Sequence, residues 1–275
     1  HAGDAGIGNH KETSMRQFEY EHVSKAWATK FLANQLDSQV LVTRPQNSYG
    51  TRFVLGEFNL HNRSGGSAYV GIGGRLPQSL WTAGQIVAAG SYTDDTTDAQ
   101  DAGANDFALT TTTNNDGFGI FSLIPFNIAS IIVGTAAAGG SPAWDLAYTL
   151  AGGTWGTITN AYVSPLFTAT GEQLIWFEPP TDWAPAEAGH GTGVPVGSYG
   201  IRCRATTAPN ATAGLATNIV LGRMLLSTES VDDNSVLNNI GGVELALPPQ
   251  CDAICAAIST ANPQNRATIS WRYSG

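Results

Sequence analysis

Acidic side chains gather in two places along the chain. In GEQLIWFEPPTDWAPAE, Glu172, Glu178, Asp182 and Glu187 bracket Trp176 and Trp183. Carboxylates beside tryptophans are what glycoside cleavage needs: an acid, a base or nucleophile, and rings on which a sugar stacks. The spacing argues against it. Glu172 and Glu178 share a strand face but stand about 20 Å apart by strand rise, beyond either hydrolytic geometry. Core tryptophans and surface acids are therefore expected. The second gathering is Asp94, Asp95, Asp98, Asp101 and Asp106. Calcium takes about six to eight oxygen ligands, and such a run could supply several. It lacks the alternating Asp rhythm and closing Glu of an EF-hand, so it reads as a solvated loop facing water or a partner.

Nitrogen and sulfur offer less. As an N-terminal residue His1 would give copper an amine and an imidazole, with a second ring from His10, His22, His61 or His190. The glycine-rich residues 2–12 have nothing to pin such a set to a sheet. Cys203, Cys251 and Cys255 are odd in number. Cys251 and Cys255 sit one helical turn apart in PQCDAICAAIS, too far for an unstrained disulfide, and no histidine lies near them for zinc. All three read as buried small hydrophobes. No nucleophile elbow is present. The GIGG at 71–74 lacks the helix and lysine of a phosphate loop, and the HGTG at 190–193 has no partner signal. Asn62-Arg63-Ser64 and Asn210-Ala211-Thr212 match glycosylation sequons, a pattern short enough to occur by chance. The expectation is a non-enzymatic protein without catalytic, cofactor or metal residues.

The elements that would carry these residues follow from periodicity. Residues 1–12 are glycine-rich and polar. Thr13 and Ser14 can cap a helix, Glu19 and Glu21 suit its first turns, and Phe18, Val23, Trp27, Phe31 and Leu36 recur at helical spacing. This predicts an amphipathic helix over about 14–36. Its aromatic stripe, with Phe18, Val23, Trp27 and Phe31, is the candidate partner-binding surface. Beyond it the period changes to two. Strands are expected at Gln39–Thr43, Arg52–Leu60, Ala68–Ile72, Phe107–Thr111, Phe118–Leu123 and Ile128–Val133, then Leu146–Leu150, Gly156–Thr159, Gln173–Phe177, Tyr199–Thr206 and Ala267–Tyr273. Asn115-Asp116-Gly117, Gly152-Gly153 and Thr170-Gly171 suit tight turns. Leu174–Phe177 is apolar on both faces and should be doubly buried. A short C-terminal helix is expected at about 250–260, opened by Pro248-Pro249. The fold class is thus mainly β, sandwich-like or jelly-roll-like. Residues 1–37 form an arm and helix, and 38–275 a β region with a soft internal boundary near 140–145.

Composition narrows function further. Charged residues are 13% of the 275, against about 25% in ordinary soluble domains, while hydrophobic residues hold at 42%. With 32 Gly and 13 Pro the chain is neither collagenous nor a coiled coil, and it is too apolar for disorder. The net charge of −9 opposes a phosphate backbone, and Arg202 with Arg204 is the nearest thing to a basic cluster, so direct nucleic-acid binding is not expected. From Gly117 to Trp144 no residue is charged. Pro125, Asn127 and several glycines interrupt that run, which reads as two buried strands joined near Pro125, with no membrane partner. Residues 1–30 carry His, Lys and Glu where a secretory leader would be apolar.

The stretch from Trp81 to Asn127 resembles segments of virion structural proteins of tailed bacteriophages. TGEQLIWFEPPTDWAP and GSYGIRCRATTAPNATAGLATNIVLGR resemble β-sandwich modules of phage tail and head-decoration proteins. The likeness rests on Trp176, Pro180, Asp182 and Trp183, followed by Tyr199, Arg202 and Arg204. It implies a structural protein on the virion surface, contacting capsid or tail proteins and further copies of itself as a homo-oligomer. An acidic chain belongs outside a shell, away from packaged DNA. The alternative is an extracellular carbohydrate-recognition or adhesin module using exposed aromatics.

Overall fold

The computed structural model describes residues 26–31, 40–43, 52–61, 68–88, 90–103, 106–110, 112–159, 161–163, 167–207, 210–230, 236–238, 245–259 and 266–274. Their strands are β1 (Ala26–Phe31), β2 (Val40–Thr43), β3 (Arg52–His61), β4 (Ala68–Arg75), β5 (Trp81–Ile86), β6 (Tyr92–Asp94) and β7 (Phe107–Ala108). There follow β8 (Gly117–Ser122), β9 (Ile128–Thr135), β10 (Ala143–Leu150), β11 (Thr154–Thr157), β12 (Ala161–Val163) and β13 (Gly171–Phe177). The last six are β14 (Tyr199–Thr207), β15 (Leu215–Ser230), β16 (Val236–Asn238), β17 (Leu245–Ala246), β18 (Ala253–Ile258) and β19 (Arg266–Ser274). A single α-helical turn, α1 (Thr96–Gln100), and two 3-10 turns, Gln78–Leu80 and Ala188–His190, lie among the described strands.

All pairings are antiparallel, and the protein is mainly β. A six-stranded sheet runs β11-β10-β14-β8-β5-β6 and an eight-stranded one β12-β13-β9-β15-β4-β18-β2, with β7 added on β15. A further sheet runs β1-β19-β3-β16, with β17 also on β3. Alternation along each strand builds the core between the first two sheets. Phe118 and Ile120 of β8, Leu146 and Tyr148 of β10, and Ile201 and Cys203 of β14 meet Ala129, Ile131, Val133, Ile175 and Phe177 of the opposite layer. Strands before and after residues 140–145 pair within both layers.

The uncharged run from Gly117 splits as expected. β8 joins one layer and β9 the other, so the segment around Pro125 carries the chain across the core. Among the described residues no helix is long and apolar enough to cross a membrane. Leu174–Phe177 is buried on both faces: Ile175 and Phe177 enter the inter-sheet core, while Leu174 and Trp176 join Ile128 and Met224 on the far side. Gly152 and Gly153 both take positive φ in the three-residue loop, Ala151 to Gly153, that joins β10 to β11.

Two helical expectations are corrected. Residues 26–31 of the expected 14–36 helix are strand β1, paired with β19 so that Trp27 is in register with Ser270 and Phe31 with Arg266. A spacing of four fits one face of a helix and also one face of a strand, and the C-terminal strand supplied the pairing that decided between them. The rest of that helix, with Phe18 and Val23, lies outside the described residues. The expected helix at 250–260 is strand β18, buried along its whole length between β4 and β2. An alanine-rich apolar run has no periodicity to separate the two forms, and small side chains fit against the glycines of β4. There a Cβ on Gly74 would stand 2.4 Å from the Cys251 sulfur. That contact also explains the GIGG run as strand packing.

A buried amide repairs an irregularity in the longest strand. β15 shifts register on β4 between Met224 and Leu226. There Asn127 Oδ1 accepts the Met224 N–H at 2.7 Å, and its Nδ2 donates to the Met224 carbonyl at 3.3 Å. Replacing Asn127 with Ala leaves both backbone groups buried and unpaired. Asn127→Ala should lower stability by about 2–4 kcal/mol, read as a reduced urea midpoint at unchanged m-value.

Candidate functional site

The outer face of the six-stranded sheet is divided into a covered and an open half. Residues 178–198, between β13 and β14, fold back over the β5–β6 and β10–β11 ends. Thr149 of β10 fixes this segment from below. Its fully buried hydroxyl donates to the Ala184 carbonyl at 2.6 Å and accepts the Gly200 N–H at 3.1 Å and the Trp183 Nε1–H at 3.2 Å. The covering loop carries Ala186 and Val194 onto Ile86, Tyr92 and Phe121, a second small core with Trp155 at its rim. Gly191 makes this close approach possible. Its φ of 145° suits glycine, and a Cβ there would stand 1.9 Å from the Gly90 carbonyl oxygen.

Beyond the loop the same face stays open and holds its charges. Arg202 and Arg204 alternate outward along β14 while Ile201 and Cys203 point into the core. Asp145 of β10 pairs directly opposite Arg204, and Ala147 opposite Arg202. The Asp145 Oδ2 accepts from Arg204 Nε at 2.9 Å and from Arg202 Nη2 at 3.1 Å. Trp155 holds the Arg202 guanidinium 4.5 Å from its ring centroid. Burial, and then the charge of Arg204, make the Arg202 proton easier to lose than in water. A cavity of about 580 Å³ opens over this cluster, walled by Trp144, Thr157, Thr159 and Thr206. A second of about 260 Å³ adjoins it across Thr157, Ile158 and Thr159, walled by Tyr148, Glu178, Pro179, Pro180 and Thr181. The groove over the arginines thus shares its Thr157–Thr159 wall with a cavity that holds Glu178.

Several of the other residues singled out above have structural employment. Glu172 accepts the Ser130 hydroxyl, and Asp182 accepts the Tyr148 phenol at 2.8 Å. Glu187 accepts the Gly152 N–H at 3.1 Å, and its own N–H donates to His190 Nδ1 at 2.9 Å. His190 is buried with its ring edge-on to Trp155, centroids 5.1 Å apart. Trp176 is fully buried, and Trp183 packs against Phe126, Phe177 and Tyr199. Cys203, Cys251 and Cys255 are buried free thiols; burial holds the Cys203 and Cys255 thiols well above the usual range. Among the described residues no group of His, Cys, Asp and Glu could hold a metal ion. The Asn210 amide of one sequon is buried, its Nδ2 on the Gly139 carbonyl at 2.8 Å; Asn62 lies outside the described residues. Of the partner-binding set, Trp27 and Phe31 fall in β1, and Phe18 and Val23 lie outside the described residues.

Asp145 and Trp155 are the functional candidates that sequence reading passed over. The signal for Asp145 was present: it is the one charge in AWDLAYTL, placed out of phase with the inward Leu146 and Tyr148. Comparison with protein-family models, curated proteins and solved structures gives no match.

Two predictions follow from this geometry. Thr149→Val removes three hydrogen bonds and should cost about 2–4 kcal/mol, with new protease cleavage inside 178–198 as the local readout. Asp95 is the second case. Burial, and next the neighbouring Asp98, raise its carboxyl above the ordinary range. A raised carboxyl stabilises the fold only below its unfolded value and loses that contribution as pH rises through the folded one. Asp95→Asn should therefore raise Tm at pH 7, and the gain should disappear on acidification below the carboxylate range.

Proposed function

We propose that this chain is a non-enzymatic structural protein of a phage particle, a jelly-roll-like sandwich that decorates the capsid or forms part of the tail at the virion surface. One observation carries the reading. Glu172, Asp182, Glu187, His190 and the three cysteines, the side chains with the most chemistry to offer, are buried or bonded within the fold. The low charge content supports it too. Thr, Asn, Ser and Gly stand where a free monomer would usually carry Lys and Glu, a composition suited to surfaces covered by neighbours. Its partners are other virion proteins and further copies of the chain, and the residues before β1, with Phe18 and Val23, form the anchor.

The test is assembly. Sedimentation and negative-stain microscopy of the full chain should show a regular oligomer, and a monomer at every concentration would overturn the reading. Removing residues 1–25, which leaves β1 in place, should weaken that assembly; undiminished assembly would sink the anchoring role. Glycan recognition is the second reading, and the hydroxyl-lined groove favours it.

A further inference from the structure

The groove over Arg202 and Arg204 has more donors than its own carboxylate can use. Two guanidinium groups share Asp145, which leaves one net positive charge on a chain whose total is −9. Arg204 gives only its Nε, and Arg202 only one terminal nitrogen. Among the described residues, the remaining terminal nitrogens of both have no hydrogen-bond partner. Both side chains are already held, Arg202 at 15% and Arg204 at 24% exposure. A ligand therefore meets ordered donors and loses little additional side-chain entropy in engaging them. Two planar forks with free donors on one face are a receptor for a planar anion, above all a carboxylate.

We propose that this groove binds an acidic oligosaccharide, seating the carboxylate of a uronic-type sugar on Arg202 and Arg204. The size fits, since a cavity of about 580 Å³ accommodates a sugar ring with its substituents. The walls fit as well: the exposed hydroxyls of Thr157 and Thr159 can exchange hydrogen bonds with ring hydroxyls. The adjoining cavity extends the site to a second unit. Glu178 in its wall would repel another carboxylate, so that unit is a neutral sugar. The preferred ligand alternates acidic and neutral residues. This deepens the glycan reading and does not depend on the assembly reading.

The experiment is calorimetric titration of the full chain with a hexasaccharide alternating glucuronic acid and N-acetylglucosamine. Its carboxyl-reduced counterpart and a poly-glutamate peptide are titrated in parallel. Binding should weaken by about tenfold or more on carboxyl reduction, and by a similar factor in Arg204→Gln. Thr157→Tyr, which fills the groove from an exposed position and leaves the arginines intact, should also lose binding. Thermal unfolding of both variants reports whether the fold survives. Should Arg204→Gln unfold, the Thr157 variant and the reduced sugar still decide. The proposal is overturned if the hexasaccharide does not bind, if the reduced sugar binds equally, or if either folded variant binds like the wild type. Equal or tighter binding of poly-glutamate would also overturn it, in favour of an acidic peptide. Binding of neutral sugars alone would sustain the broader glycan reading while removing this one.

Discussion

The buried hydroxyl of Thr149 settles which half of the outer sheet is open. A hydroxyl with no exposure must find its partners inside, and this one takes three from two segments: Trp183 and Ala184 of the covering loop and Gly200 of β14. Those bonds press the start of the 178–198 segment against β10, and the rest of the loop can then run only across β5 and β6. Its passage there is tight. The Tyr92 N–H donates to the Thr192 carbonyl at 2.8 Å, and Gly193 stands so close to the Tyr92 carbonyl that a Cβ would be 2.5 Å from its oxygen. A loop held that closely leaves no freedom to drift over Arg202 and Arg204. The groove exists because its neighbour on the same face is covered.

The few charges in this protein act by placement more than by number. Asp145 with its two arginines and Arg75 with Asp252 each join strands distant in sequence, and each remains partly exposed. Pairs of that kind contribute about 1 kcal/mol or less, far below the burial of the aromatic core they border. Their effect is to order side chains. The Arg75 fork meets both oxygens of Asp252, at 2.9 and 3.1 Å, as β18 enters its sheet between β4 and β2. Asp94, Asp95 and Asp98 run the other way. Like charges gather where α1 must close under β5, and the Asp94 carboxylate turns that crowding to use by accepting from the Thr96 backbone and hydroxyl.

Legibility in the sequence followed the physics of each segment. Strands with an alternating pattern, such as β10, β13 and β14, could be located because their two faces differ in chemistry. The Asn115 and Gly152-Gly153 turns were visible because positive φ restricts which residues can occupy them. Trp27 and Phe31, four apart, fit a helix and a strand equally, and only a partner at the other end of the chain resolved the choice. β18 had no alternation because both its faces are buried. The site was half visible. Arg202 and Arg204 declare a common outward face by spacing alone. The carboxylate between them is more than fifty residues away, joined by sheet register that local sequence does not carry.

A cationic patch on an acidic protein separates two effects that usually travel together. The net charge of −9 acts on an approaching anion over the whole surface and slows its arrival. At physiological ionic strength that field is screened over about 8 Å. Contact with the guanidinium donors is shorter than this, and the Trp155 ring keeps solvent from one side of Arg202. Added salt would then speed encounter while taking comparatively little from the bound state, the reverse of an electrostatically steered complex. Such a surface discriminates at close range, by the match of donors to a carboxylate, and gains nothing from attracting anions in general. A chain that displays few charges, mostly acidic, can in this way favour one acidic group over anions in general.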